Sequence, residues 1–93
     1  MENRVEIEMS ISLKDFYRLL PIALKNYDFQ IKNNIINIDN GKIEIRPGVE
    51  KTRSIASLKF PILKVLFLFL ENVNEDKNSF MENFRRVYQK GGG

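Results

Sequence analysis

The 93-residue sequence contains no cysteine and no histidine. Without cysteine there is no disulfide framework, no thiolate metal site and no cysteine nucleophile. Without histidine the commonest general base, the usual zinc ligand and the side chain that titrates near neutrality are missing too. Long apolar runs are also lacking. The longest, Val65 to Leu70, falls far short of the ~20 residues that a helix needs to cross a bilayer. Met1 opens no signal-peptide pattern, so the expected address is cytoplasmic, with no membrane role. Of the five glycines three close the sequence, and Gly41 and Gly48 belong to turns, so no phosphate-cradling loop precedes a helix. Nothing in the sequence calls for a metal or another cofactor.

What is present is the composition of a folded chain, 43% hydrophobic and 29% charged. That places it away from the low-hydrophobicity, high-charge compositions that stay disordered. The length suits one hydrophobic core. A single α+β domain is expected over residues 1–90, with residues 91–93 as a flexible glycine tail.

From Arg4 to Ser12 apolar and polar residues alternate, with Val5, Ile7, Met9 and Ile11 on one face, which is a half-buried strand. Ser12 can cap a helix starting at Leu13, and Asp15 completes a capping-box-like pair. Leu13, Phe16, Leu20 and Leu24 form its apolar stripe, and Pro21 is expected to kink or break it. Hairpins follow. Tyr27, Phe29 and Ile31 lead to Asn33-Asn34, Ile36 and Ile38 lead to Asn40-Gly41 as a two-residue turn, and Ile43 and Ile45 lead to Pro47-Gly48.

Arg53 to Phe60 alternates as a further strand, Ala56, Leu58 and Phe60 on one face and Arg53, Ile55, Ser57 and Lys59 on the other, and Pro61 closes it. Leu63 to Leu70 is read as a strand too apolar on both faces to lie open to water, with Lys64 as its one polar residue. Asn74, followed by Glu75 and Asp76, can cap a last helix with the stripe Phe80, Phe84, Val87 and Tyr88.

These elements specify an α+β two-layer sandwich, a curved antiparallel sheet of five or six strands with two helices on the face that carries Val5, Ile7, Phe67 and Phe69. The order strand, helix, four or five strands, helix resembles the TATA-binding-protein-like and helix-grip folds. The stretch from Arg53 to Pro61 and the run from Phe80 to the triple glycine are similar to small archaeal proteins of unknown function. The resemblance implies a curved sheet that in some members sits on DNA and in others encloses an apolar ligand, and fold alone does not choose between them.

Helices cover only one sheet face, so Leu66, Leu68 and Leu70, joined by Ile55, are expected to point away from them as an apolar patch. Contiguous patches of this kind mark interfaces or ligand sites. The leading expectation is therefore an assembly domain, most simply a homodimer, anchored by those four residues. The bland alternative is that curvature, a loop or a chain end covers the patch within one monomer.

A second expectation comes from charge. Residues 32–64 hold seven cations against three carboxylates, a surplus of four that exceeds the net +3 of the whole chain. Alternation puts Lys42, Arg46, Arg53, Lys59 and Lys64 on the outer face, a surface that could neutralise phosphates. The net charge is modest, and no aromatic residue is expected on that face to stack on bases. A third expectation is an apolar ligand between sheet and helices. The terminal glycines match those of ubiquitin-like modifiers, but a tail that leaves a helix fits a simple flexible end better. No pair of carboxylates has an acid/base or metal spacing, so no enzyme is expected.

Overall fold

The computed structural model describes residues 4–70 and 74–92, with side chains at 4–70 and 77–89. In chain order the elements are β1 (Arg4–Met9), α1 (Leu13–Ala23), β2 (Phe29–Lys32), β3 (Ile35–Ile38), β4 (Ile43–Pro47), β5 (Lys51–Ile55), β6 (Leu58–Phe69) and α2 (Asn74–Gly92). The fold is α+β, an open antiparallel sheet of six strands with two helices on one face. The sheet order is β1-β6-β4-β3-β2, and β5 pairs with the far end of β6.

Helix α1 starts where its cap permits. The Ser12 hydroxyl accepts from the Asp15 backbone N–H at 3.1 Å. The helix runs unbroken through Pro21 and ends two residues later. Pro21 therefore falls in the last turn, where only the bond to the Tyr17 carbonyl is lost, and the expected break does not occur. Helix α2 extends to Gly92, past the expected end at Lys90. The capping side chains expected at Asn74, Glu75 and Asp76, and Gly93, lie outside the described residues.

The two helices and the inner sheet face enclose an aromatic core. Phe16, Phe67, Phe80 and Phe84 are almost wholly buried, and burial of each such ring contributes roughly 1.5–3 kcal/mol. Phe84 meets Phe67 edge-on at 4.9 Å and stacks on Tyr88 at 4.5 Å. Two polar bonds tie the helices together. The Tyr88 hydroxyl donates to the Phe16 carbonyl at 2.7 Å, and the Asn83 amide donates to the Ala23 carbonyl at the end of α1 at 3.3 Å.

The turns follow residue chemistry with one correction. Asn33 and Asn34 both have positive φ, 50° and 64°, as a type I′ hairpin requires. The next connection is not the two-residue Asn40-Gly41 turn. Ile38 pairs with Ile43, so residues 39–42 form the loop, with Asp39, Asn40 and Gly41 all at positive φ. The Asp39 N–H donates to the Asp28 carbonyl at 2.8 Å, which extends the β2–β3 ladder into the loop and leaves the turn to follow.

The largest departure from expectation lies between Arg53 and Leu70. Arg53 to Phe60 is not one strand. The chain reverses at Ala56 and Ser57, with Ala56 in the left-handed region at φ 54°. The chain from Leu58 onward is one strand of 12 residues that passes through Pro61. Pro61 is tolerated because β1 and β4 pair with β6 only from Leu63 and Val65 onward. At Pro61 one edge of β6 is therefore open, and a missing N–H there breaks no ladder bond.

Strands β4 and β5 lie on the same side of β6. Pro47 stands opposite Val65 and Lys51 opposite Ile62, so the three residues 48–50 face only two, Leu63 and Lys64. This is a bulge, and the extra residue reverses which side chains point outward. Beyond it β5 and the start of β6 leave the sheet as a two-stranded arm about 17 Å long.

Candidate interaction surface

The arm is anchored at its base on three sides. The Gly48 N–H donates to the Lys64 carbonyl at 2.7 Å. The Glu50 carboxylate accepts from the Leu13 N–H, the first free donor of α1, at 2.7 Å, a placement the helix dipole favours. Arg53 reaches Glu8 on β1 at 2.9 Å. Gly48 leaves no room for a side chain without adjustment, because a Cβ there would meet the Lys64 carbonyl oxygen at 3.1 Å.

Beyond this base none of the described residues forms a layer over the arm. Every residue from 48 to 60 is exposed. The register pairs Ile55 with Leu58 and Arg53 with Phe60 on one side of the arm, and Ser54 with Lys59 and Thr52 with Pro61 on the other. Strand β6 alternates without interruption, so Leu58, Phe60 and Ile62 share the outer side with Lys64, Leu66 and Leu68. The Arg53–Glu8 bridge joins outer residues of the arm and of β1, in agreement with that parity. Ile55 and Leu58 are 58% and 60% exposed, and Phe60 is 36% exposed.

The four expected interface residues thus separate into two groups. Leu70 and Ile55 are exposed. Leu66 and Leu68 are half-buried because of their neighbours across the strands: Leu66 stands between Glu6 and Arg46, and Leu68 between Arg4 and Glu44. Long charged side chains lay their aliphatic stems over adjacent apolar surface, and here they narrow the open patch at the sheet centre. The apolar surface open to water shifts toward the arm, to Leu58 and Phe60, which the expected face assignment had placed on the opposite side.

The expected basic set is redistributed as well. Lys59 turns to the other side of the arm with Ser54, because the reversal at Ala56 and Ser57 changes its parity. Arg46 is held by Glu44 at 2.8 Å and Arg53 by Glu8. Lys64 and Lys42 remain exposed, the Lys42 carbonyl accepting from the Leu70 N–H at 2.8 Å. Lys51, absent from the expected set, shares the outer side with Ile62. Contrary to expectation, an aromatic residue does share this face, since Phe60 stands directly opposite Arg53.

Two clefts flank these elements. One of about 480 Å³ lies in the angle between arm and sheet and is lined by Glu8, Val49, Lys51, Arg53, Ile62 and Lys64. Ile62, 8% exposed, is buried here, apart from the main core. The other, of about 390 Å³, opens between β1 and α2 beside Ile7, Met9, Phe84 and Tyr88. Burial raises the Tyr88 phenol pKa well above its usual range. Among the described residues no three acidic side chains gather as a metal site, and no helix is long and apolar enough to cross a membrane.

No protein-family model, curated protein or solved structure matches this chain. The likeness of element order therefore stands on the fold alone, a small α+β fold with an antiparallel sheet and two helices.

Proposed function

We propose that this chain is a non-enzymatic assembly domain that associates with a second copy of itself through the outer face of β6 and the arm. The observation that carries this reading is the arm itself. A two-stranded ribbon is marginal in water by itself, yet this one is anchored at three points and presents Ile55, Leu58 and Phe60 on one side. Ile55 and Leu58, more than half exposed, each forfeit on the order of 1 kcal/mol while they stay wet, and the less exposed Phe60 forfeits part of its burial energy too. Leu66, Leu68 and Leu70 continue the same stripe toward the other end of the sheet. A cytoplasmic setting and a likeness to small archaeal proteins with a TATA-binding-protein-like or helix-grip fold belong to this proposal, the likeness of fold supported by element order.

The test is oligomeric state by sedimentation equilibrium. The wild type is expected to dimerise with a measurable dissociation constant. Ile55→Asp combined with Leu58→Asp, both at exposed positions, is expected to give a folded monomer with unchanged circular dichroism. A monomeric wild type would remove the proposal.

One observation favours a second reading, nucleic-acid binding. Phe60 beside Arg53 and Lys51 on a projecting two-stranded ribbon combines a stacking ring with phosphate-neutralising cations, and a ribbon of this width enters a major groove. Fluorescence anisotropy with duplex and single-stranded DNA and RNA decides it. Absence of salt-sensitive binding at low ionic strength excludes this reading.

A further inference from the structure

Along the outer side of β6 and the residue that follows it, the order is Leu58, Phe60, Ile62, Lys64, Leu66, Leu68, Leu70. The series has the same pattern from either end, three apolar side chains, one lysine, three apolar side chains. In a two-fold contact each residue that meets a second residue is met by it in return. A stripe with this symmetry can therefore pack on its own copy without setting an apolar side chain against a charge.

Resting on the self-association proposed above, we infer that two copies meet about a two-fold axis at Lys64, outer faces together and β6 strands antiparallel. Leu58 of one copy then meets Leu70 of the other and Phe60 meets Leu68, while Ile62, already buried in the cleft between arm and sheet, stands opposite Leu66 and adds little to the contact. Facing sheets pack about 10 Å apart with their strands within about 30° of each other, and this stripe suits that arrangement. From Leu58 to Leu70 it spans about 40 Å, close to the 45 Å length of the whole molecule. A different register would leave one end of the stripe hanging over water. The two most exposed apolar members, Leu58 and Leu70, are its two ends, and only the axis at Lys64 covers both.

The centre of the stripe is cationic. Lys64 stands in register beside Glu8, but the Glu8 carboxylate is held by Arg53 at 2.9 Å, so each copy brings one unbalanced positive charge to the axis, and the apolar residues on either side must outweigh that repulsion. The same rotation sets Glu44 against Arg53 of the second copy and Arg46 against its Lys51, so the apolar stripe rather than charge decides the register. Pairing through strand edges is disfavoured where β6 is open, because Pro61 lies on that edge. Glu6, Glu8 and Glu44 interrupt the cations of the outer face, which weakens its fit to a phosphate backbone and leaves a second copy as the better occupant.

A charge swap tests the axis. Leu58→Lys and Leu70→Glu each place a lone charge against a leucine across the interface, and each is expected to weaken the dimer on the order of tenfold or more. In the double variant the new cation meets the new carboxylate across the axis, and most of the affinity is expected to return. The two positions lie about 40 Å apart within one chain, too far for rescue inside a monomer. The reversed pair, Leu58→Glu with Leu70→Lys, is expected to behave alike, which separates rescue from a folding defect of either variant. A wild-type dimer whose double variants are no tighter than the weaker single overturns the axis and leaves self-association standing. A wild type that stays monomeric, whether or not it binds nucleic acid, overturns both.

Discussion

Strand β6 belongs to two regions that obey different rules. From Leu63 to Phe69 it lies between β1 and β4 beneath two helices, and Leu63, Val65 and Phe67 are fully enclosed. From Leu58 to Phe60 it pairs, among the described residues, with β5 alone and is exposed on both sides. The same apolar alternation therefore has opposite consequences within one strand. In the body each ring is held by neighbours on every side and stabilises the monomer. In the arm the same kind of side chain contributes little to the monomer and is free to stabilise a complex.

The sharpest break of this comparison substitutes one phenylalanine in each region. Phe84→Ala empties the centre of the aromatic core and is expected to cost about 3–5 kcal/mol in denaturant unfolding. Phe60→Ala is expected to cost the monomer about 0.5 kcal/mol or less, while weakening the dimer. Equal losses from the two substitutions would show that the arm is part of the core.

Smaller effects sharpen the boundary between the regions. Tyr88→Phe removes the bond to the Phe16 carbonyl and is expected to cost about 1 kcal/mol at neutral pH. Burial raises the Tyr88 phenol in the folded state, so the unfolded chain ionises first, near its usual pKa of about 10. The contribution is present in full below about pH 10 and is lost as pH rises beyond it, because the unfolded state then binds fewer protons. Unfolding from pH 8 to 11 is expected to show a shallower alkaline loss in Tyr88→Phe than in wild type. The smallest effect is expected at the hinge between the regions. Glu50→Gln weakens the contact with the Leu13 N–H and is expected to cost about 0.5 kcal/mol. Its clearest sign is faster hydrogen exchange in residues 51–62 with no change in β1 or β3.

The body was legible in the sequence and the arm was not, for physical reasons. Ser12 and Asp15 mark a helix start by themselves, and Asn33-Asn34 marks a tight turn because asparagine accepts positive φ. The reversal at Ala56 and Ser57 carries no glycine, asparagine or proline, and its Ala56 stands in a conformation that an L residue rarely adopts. Pro61 has the local meaning of a strand end, and its place inside β6 depends on an open edge that only the pairing of distant strands creates. The candidate surface follows the same division. Leu70 and Ile55 were recognisable as outward apolar residues. The shielding of Leu66 and Leu68 depends on cross-strand neighbours, and the outward turn of Leu58 and Phe60 depends on the reversal, which alternation along one segment does not encode.

The most direct test of an arm and β6 face built for self-association is native mass spectrometry of the unaltered chain across a range of concentrations. The expected result is a dimer that gains population with concentration and carries no additional mass. A monomer at every concentration would contradict the account.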